Sequence, residues 1–293
     1  MIMPWRFFPA RVARVRRLSP SFVRLTFAGA DLRHFADNGY DQRIKLIVPL
    51  PGSGVAHMPT GADWHAQWRA LPDGRRNPVR TYTVRSVRTG DSEVDVDMVL
   101  HGDGGGPAGR FAADARAGDQ VLLLGPDARF DGPHGGREFQ PTADTVLLAG
   151  DETAVPAVAA ILERLPAHLT GEAVLEVPHA ADVLDLAAPP GIRVSWRARE
   201  DAPPGTGLLP AVRGAAARLL PPAPGVAVAD VDVDREILWE VPQEPAPSAD
   251  LYAWIAGEAA VVRALRRHLV AERGLDRRAV AFMGYWRLGR AES

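Results

Sequence analysis

The strongest constraint on the fold of this 293-residue chain is a change in its apolar pattern near residue 140. Before that point, short segments alternate in the manner of half-buried strands. These are Ser21–Phe27 (SFVRLTF), Arg43–Val48 (RIKLIV), Val79–Ser86 (VRTYTVRS), Val94–Leu100 (VDVDMVL) and Gln120–Leu124 (QVLLL). Between them lie turn-forming clusters such as PDGRRNP, TGDSE and HGDGGGPAG. Such a pattern suits an antiparallel sandwich or a small barrel that removes its own sheet edges. The stretch 126–142 is rich in Gly and Pro, without an apolar period, and reads as a linker or long loop. Beyond it, Thr145–Ala149 (TVLLA) is a continuous apolar run, as in a strand covered on both faces. Helix-like segments then alternate with strands: Ala157–Leu165 is helical, Ala173–Val177 and Arg193–Trp196 extended, Leu209–Leu220 helical, Leu251–Ala256 extended. That order predicts a parallel α/β sheet. The fold class expected is therefore β followed by α/β: an antiparallel β-barrel over 1–140, then a parallel α/β domain over 141–293.

Composition narrows the chemistry. The formal net charge of −2 supplies no overall basic field for nucleic acid. The absence of cysteine excludes disulfides, thiolate metal sites, Fe–S clusters and thiol nucleophiles. The first twenty residues place arginines after a short apolar start, unlike a secretory signal, and no run is long enough for stable membrane insertion. A cytoplasmic protein is expected. Lysine occurs once, at Lys45, so nearly every positive side chain is a guanidinium.

Four segments could carry chemistry. In RTYTVRS (Arg80–Ser86) a strand would put Arg80 and Tyr82 on one face, with Thr81, Thr83 and Arg85 on the other. An arginine one step from an aromatic ring can clamp a phosphate while the ring stacks on a flat ligand. By spacing alone, a half-solvated strand of β-favouring residues is the favoured reading of the segment. In VLHGDGGGPAGRFA (Val99–Ala112), the glycines allow backbone amides to converge on an anion, and a helix beginning at Arg110 would help. A flexible hairpin loop is the other reading, with His101 a structural residue at a strand end. In LLAGDETAVPAVAAILERL (Leu147–Leu165), a buried strand runs through Asp151, Glu152 and Thr153 into a helix that Asp151 or Thr153 can cap. Neither GxGxxG nor GxxxxGK[ST] is present there. The last pair is Ala256–Glu258 (AGE), again a strand end turning into a helix, and Gly284–Arg290 (GYWRLGR). No metal-ligand spacing or GxSxG elbow occurs. The acidic alternation at 228–236 (VADVDVDRE) lacks the glycine and closing glutamate of a calcium loop and is expected to be an edge strand and turn.

Taken in order, RTYTVR, VLHGDGGGPAGRFA, LLAGDETAVPAVAAILE, WIAGE and GYWRLGR resemble the siderophore-interacting proteins. These are flavin-dependent ferric-siderophore reductases of the ferredoxin-reductase-like superfamily. The resemblance implies a Greek-key FAD-binding barrel followed by a Rossmann-like, NAD(P)H-binding α/β domain. Carried over, Arg80 contacts the flavin phosphate, Tyr82 stacks on the isoalloxazine and Thr83 approaches its polar edge. Gly106, Pro107 and Ala108 supply amides to the pyrophosphate of FAD, and Asp151, Glu152 and Thr153 lie beside the nicotinamide or the flavin. Thr81, Arg85 and His101 belong to the same motifs and are counted with the cofactor-binding set. Gly109 and Phe111 stand where the family more often has serine and tryptophan, so a hydroxyl contact at 109 is lost. The mechanism implied is hydride transfer from NADH or NADPH to the flavin, then single-electron reduction of Fe(III) in the bound siderophore. The flavin carries that chemistry and no side chain is assigned as catalytic. Reduced ferredoxin is a second donor open to the family. An anionic ferric siderophore calls for a basic mouth, for which Lys45 and Arg263 are the candidates. The competing expectations are a general flavin or ferredoxin-type reductase without a dedicated siderophore, and a non-catalytic siderophore-binding module.

Overall fold

The computed structural model describes residues 2–100, 106–221, 238–242 and 249–289. His101 and the acidic alternation at 228–236 lie outside these residues. The chain forms two compact units, residues 1–137 and 138–293.

The first unit contains β1 (Trp5–Arg17), β2 (Phe22–Ala28), β3 (Arg43–Ile47), α1 (Trp64–Ala70), β4 (Val79–Thr83), β5 (Ser86–Arg88), β6 (Glu93–Val99), α2 (Pro107–Asp114) and β7 (Gln120–Pro126). Its strands pair antiparallel in the order β4-β3-β7-β1-β2-β6-β5. The chain passes from one edge of this sheet to the other through Val84 and Arg85 alone. A flat seven-stranded sheet would hold those edges about 29 Å apart, whereas this link spans about 11 Å at most. The sheet must therefore curl on itself. The Val84 amide donates to the Gln42 carbonyl before β3, and the Arg85 amide to the Asp95 carbonyl of β6, so the link ties both edges together. The connections β2–β3 and β6–β7 each pass over two strands, as in a Greek key.

Inside the curl pack Phe8, Phe27, Phe35, Ile44, Leu46, Val96, Met98 and Leu123. The outer face of β1, β3 and β7 is also covered. There Phe7, Ile47, Leu122 and Leu124 meet Met58, Trp64 and Trp68 from the segment between β3 and β4. Cover on both faces explains why β7 is apolar from Val121 onward rather than alternating.

The second unit contains β8 (Thr145–Gly150), α3 (Val155–Leu162), β9 (Thr170–Val177), β10 (Ile192–Ala198), α4 (Leu208–Leu219), β11 (Trp239–Glu240), β12 (Tyr252–Glu258), α5 (Ala259–Arg266) and β13 (Val280–Trp286). The strand order is β10-β9-β8-β12-β13-β11, parallel except for β11. The order reverses between β8 and β12, the position at which such sheets take ligands beyond their carboxyl ends. All eight residues of α3 are buried, while α4 and α5 bury Val212, Ala215, Ala216, Val262 and Leu265 on one face.

Two local expectations change, and β1 is a strand that the apolar pattern did not reveal. RTYTVRS is two strands, because Val84 and Arg85 turn the sheet's corner. The glycine-rich loop enters its helix at Pro107 rather than Arg110, consistent with proline's fixed φ at a first helical position. The N-terminal arginine-rich stretch belongs to the thirteen-residue β1, bent by a bulge between Val12 and Arg14.

Candidate functional site

In the first unit the RxYT residues occupy β4, an edge strand whose partner is β3. Arg80 stands opposite Leu46 and Tyr82 opposite Ile44, so both lie on the face of the barrel core. Thr81 and Thr83 stand opposite Lys45 and Arg43 on the other face. The Lys45 ammonium donates to the Thr81 hydroxyl at 2.7 Å. Tyr82 is half-buried against the core, and Thr83 is buried. One flat ligand cannot meet the side chains of both. Along an edge strand, however, alternate backbone N–H and C=O groups face away from the sheet, which gives this segment a polar edge independent of the Thr83 hydroxyl.

Arginine pairing separates Arg80 from its neighbours. Arg24 forms two bonds to Asp97, at 2.6 and 2.8 Å, and Arg85 lies 3.7 Å from the same carboxylate. Arg88 binds Asp95 and Glu93, and Arg14 binds Glu93. Arg85 thus belongs to an ion-pair lattice on the outer face of β2 and β6. The Arg80 guanidinium, half-buried, donates to the Val79 carbonyl at 3.0 Å and meets no carboxylate among the described residues. Gly106 caps α2, and a side chain added at Gly106 or Gly109 would meet nothing within 4 Å among the described residues. A guanidinium that meets no carboxylate among the described residues, a half-buried phenol ring and a glycine-capped helix start are a set that fits FAD, a diphosphate joined to a flat ring.

In the second unit Asp151, Glu152 and Thr153 follow β8 at the strand-order reversal. The Asp151 carboxylate, 2% exposed, accepts from the Thr153 amide and hydroxyl, the Glu258 amide and the Trp286 indole, at 2.5 to 2.9 Å. It ties the ends of β8, β12 and β13 together. Gly257, at φ +143°, makes room for it, since a Cβ there would come within 2.6 Å of the carboxylate. Burial, then the neighbouring Glu152 charge, push the Asp151 carboxyl up to about 7, against the pull of its hydrogen bonds. Glu152 is fully buried and takes both Arg199 terminal nitrogens at 2.7 and 2.6 Å. Arg263 lies half-buried on α5.

Sequence reasoning placed Asp151–Thr153 and AGE on one sheet edge but missed three partners. Trp286 was visible as the indole of GYWR. Arg199, and the β9 residue Glu176 whose carboxylate accepts from the Gly205, Gly207 and Leu208 amides before α4, sit in unremarkable sequence and meet their partners only through the parallel sheet. Among the described residues there is no cluster of three or more His, Asp or Glu side chains able to hold a metal ion.

Comparison with known proteins gives the family. Residues 11–130 match the family model described as the siderophore-interacting FAD-binding domain, and residues 143–289 that of the siderophore-interacting protein. The chain is 30% identical to the ferric vibriobactin reductase ViuB of Vibrio cholerae, over 98% of this chain and 92% of that protein. It is 28% identical to the NADPH-dependent ferric-chelate reductase of Escherichia coli, over 96% and 93%. A siderophore utilization protein from T. fusca superposes with a TM-score of 0.71 at 29% identity, covering 99% of this chain and 96% of that one. With both family models matched along its length, the chain belongs to the siderophore-interacting protein family, its first unit carrying that family's FAD-binding domain.

Proposed function

We propose that this protein is an FAD-dependent reductase that takes electrons from NADH or NADPH and delivers them to the Fe(III) of a bound siderophore. The observation that carries the reading is Arg80 with Tyr82 on an edge strand, inside the segment that matches a siderophore-interacting FAD-binding domain. The reductase relatives, one of them named as NADPH-dependent, support the reaction class.

Bound FAD supplies the conversion between a two-electron hydride donor and a one-electron acceptor. One donor therefore reduces two ferric siderophores. Arg80 holds the flavin phosphate, and the amides at Gly106 and Ala108 hold the diphosphate; Pro107, without an N–H, fixes the start of α2. Tyr82 offers its ring to the isoalloxazine, and the open edge of β4, including the Thr83 backbone, bonds the polar rim. Lys45, beside Thr81 on the outward face, and Arg263 on α5 are the cations proposed for an anionic siderophore. The siderophore brings its own ligands for iron, and Fe(II) is bound less tightly by hard oxygen donors, so reduction releases it. Reduced ferredoxin is an alternative one-electron donor. NAD(P)H places the reaction in the cytoplasm, and among the described residues no helix is long and apolar enough to cross a membrane.

The test is anaerobic. FAD-loaded protein is mixed with NADH or NADPH and a ferric siderophore, and Fe(II) is trapped by a ferrous-specific chelator. Donor-dependent Fe(II) formation that disappears in flavin-free protein is expected. A protein that neither binds FAD nor forms Fe(II) refutes the reading.

A further inference from the structure

Three helices begin at the carboxyl edge of the parallel sheet, and such helix starts ordinarily cradle the diphosphate of a dinucleotide. Here each is closed by a carboxylate of the chain itself. At α3, Asp151 takes the Thr153 amide at 2.9 Å through its side chain and the Ala154 amide at 3.0 Å through its carbonyl. Residues 154–157 behind it are buried, and Pro156 has no N–H to offer. A Cβ at Gly150 would lie 2.4 Å from that of Ala154, so turn and helix are already in contact. At α4, the fully buried Glu176 carboxylate accepts from Gly205, Gly207 and Leu208 at 2.7, 2.8 and 2.9 Å. At α5, Glu258 accepts from Ala260 and Val261 at 2.7 and 3.0 Å. Arg199, a half-buried cation at this edge, is bound through both terminal nitrogens to Glu152.

We propose that the enzyme recognises its donor by the dihydronicotinamide end, and that the adenosine diphosphate half of NADH or NADPH contributes little to binding or rate. The inference rests on the reductase reading above. A diphosphate reaching these helices would meet buried carboxylates where it needs amides. Displacing them would leave charges buried and unpaired, which is costly. The 2′-phosphate of NADPH belongs to that same half, so discrimination between the two dinucleotides is weak.

The experiment follows bleaching of protein-bound FAD by NADH, NADPH and reduced nicotinamide riboside, which lacks the adenosine diphosphate, with no iron present. The three kcat/KM values are expected to fall within about tenfold of one another, since a remote group that is not bound cannot contribute to rate. Calorimetric titration of the unmodified protein with ADP-ribose is expected to show no saturation at micromolar concentrations. A loss beyond tenfold with the riboside, a larger gap between NADH and NADPH, micromolar ADP-ribose binding, or no bleaching by any of the three overturns the proposal. Photoreduced, FAD-loaded protein is mixed separately with a ferric siderophore. Failure to form Fe(II) there strikes the reductase reading and leaves the donor comparison intact.

Discussion

Asp151 accepts four hydrogen bonds in a space almost closed to water, yet its carboxyl is pushed up to about 7 by burial and by Glu152. An unfolded aspartate titrates near 4 (about 3.9). The folded state therefore binds the extra proton between about 4 and 7, and this group's contribution to stability declines as pH rises through that window. The Trp286 indole, donating to Asp151 at 2.7 Å, reports the event. The difference between the fluorescence of the wild type and of Trp286→Phe should show a step centred near pH 7. At position 80 the expected effect is on affinity. A charge-assisted hydrogen bond is worth about 1.5–3 kcal/mol, so Arg80→Ala should weaken FAD binding by about ten- to a hundredfold. Quenching of flavin fluorescence on titration measures this, and Arg85→Ala, which breaks an ion pair with Asp97, should weaken it far less.

Among the elements, those with a single period were legible in advance. The alternation of β2 and β6 and the apolar run of β8 follow directly from one covered face or two. β1 was not legible, because Phe8, Ala10 and Val12 face the core while Pro9 and the arginines interrupt them, and the bulge after Val12 shifts the alternation. The flavin segment was half legible. Its residues stood out, but the corner at Val84–Arg85 depends on which strands form the sheet edges, a property of topology rather than of local pattern. Glu258 was recognisable at a strand end before a helix, and as the N-cap of α5 it has a defined worth. Glu258→Ala strips the two α5 amides, and that of Leu288, of their acceptor and should cost about 1–2 kcal/mol, read as a lower melting temperature. Glu258→Gln, which keeps one acceptor oxygen, should recover part of that loss. Glu176 gave no such signal, because AVLEV reads as an ordinary strand until the β9–α4 contact is known.

On the scale of the whole molecule, each unit encloses its own apolar core, with Phe8, Ile44 and Leu123 in the first and Val212, Leu265 and Phe282 in the second. Residues 1–137 expressed alone should therefore fold and retain FAD through dialysis, with flavin absorbance remaining on the protein fraction. A colourless first unit, or one without cooperative unfolding, would contradict this. The corner that joins the two sheet edges should make that unfolding a single transition, since opening the barrel exposes the common core of all seven strands. One further property follows from the pairing of Lys45 with Thr81. Lys45 is the sole lysine among 293 residues, so an amine-directed reagent finds one side chain besides the chain's amino terminus. Isotopic methylation or an acylating dye would thus set a single reporter beside the RxYT strand, on the natural sequence and without an engineered cysteine.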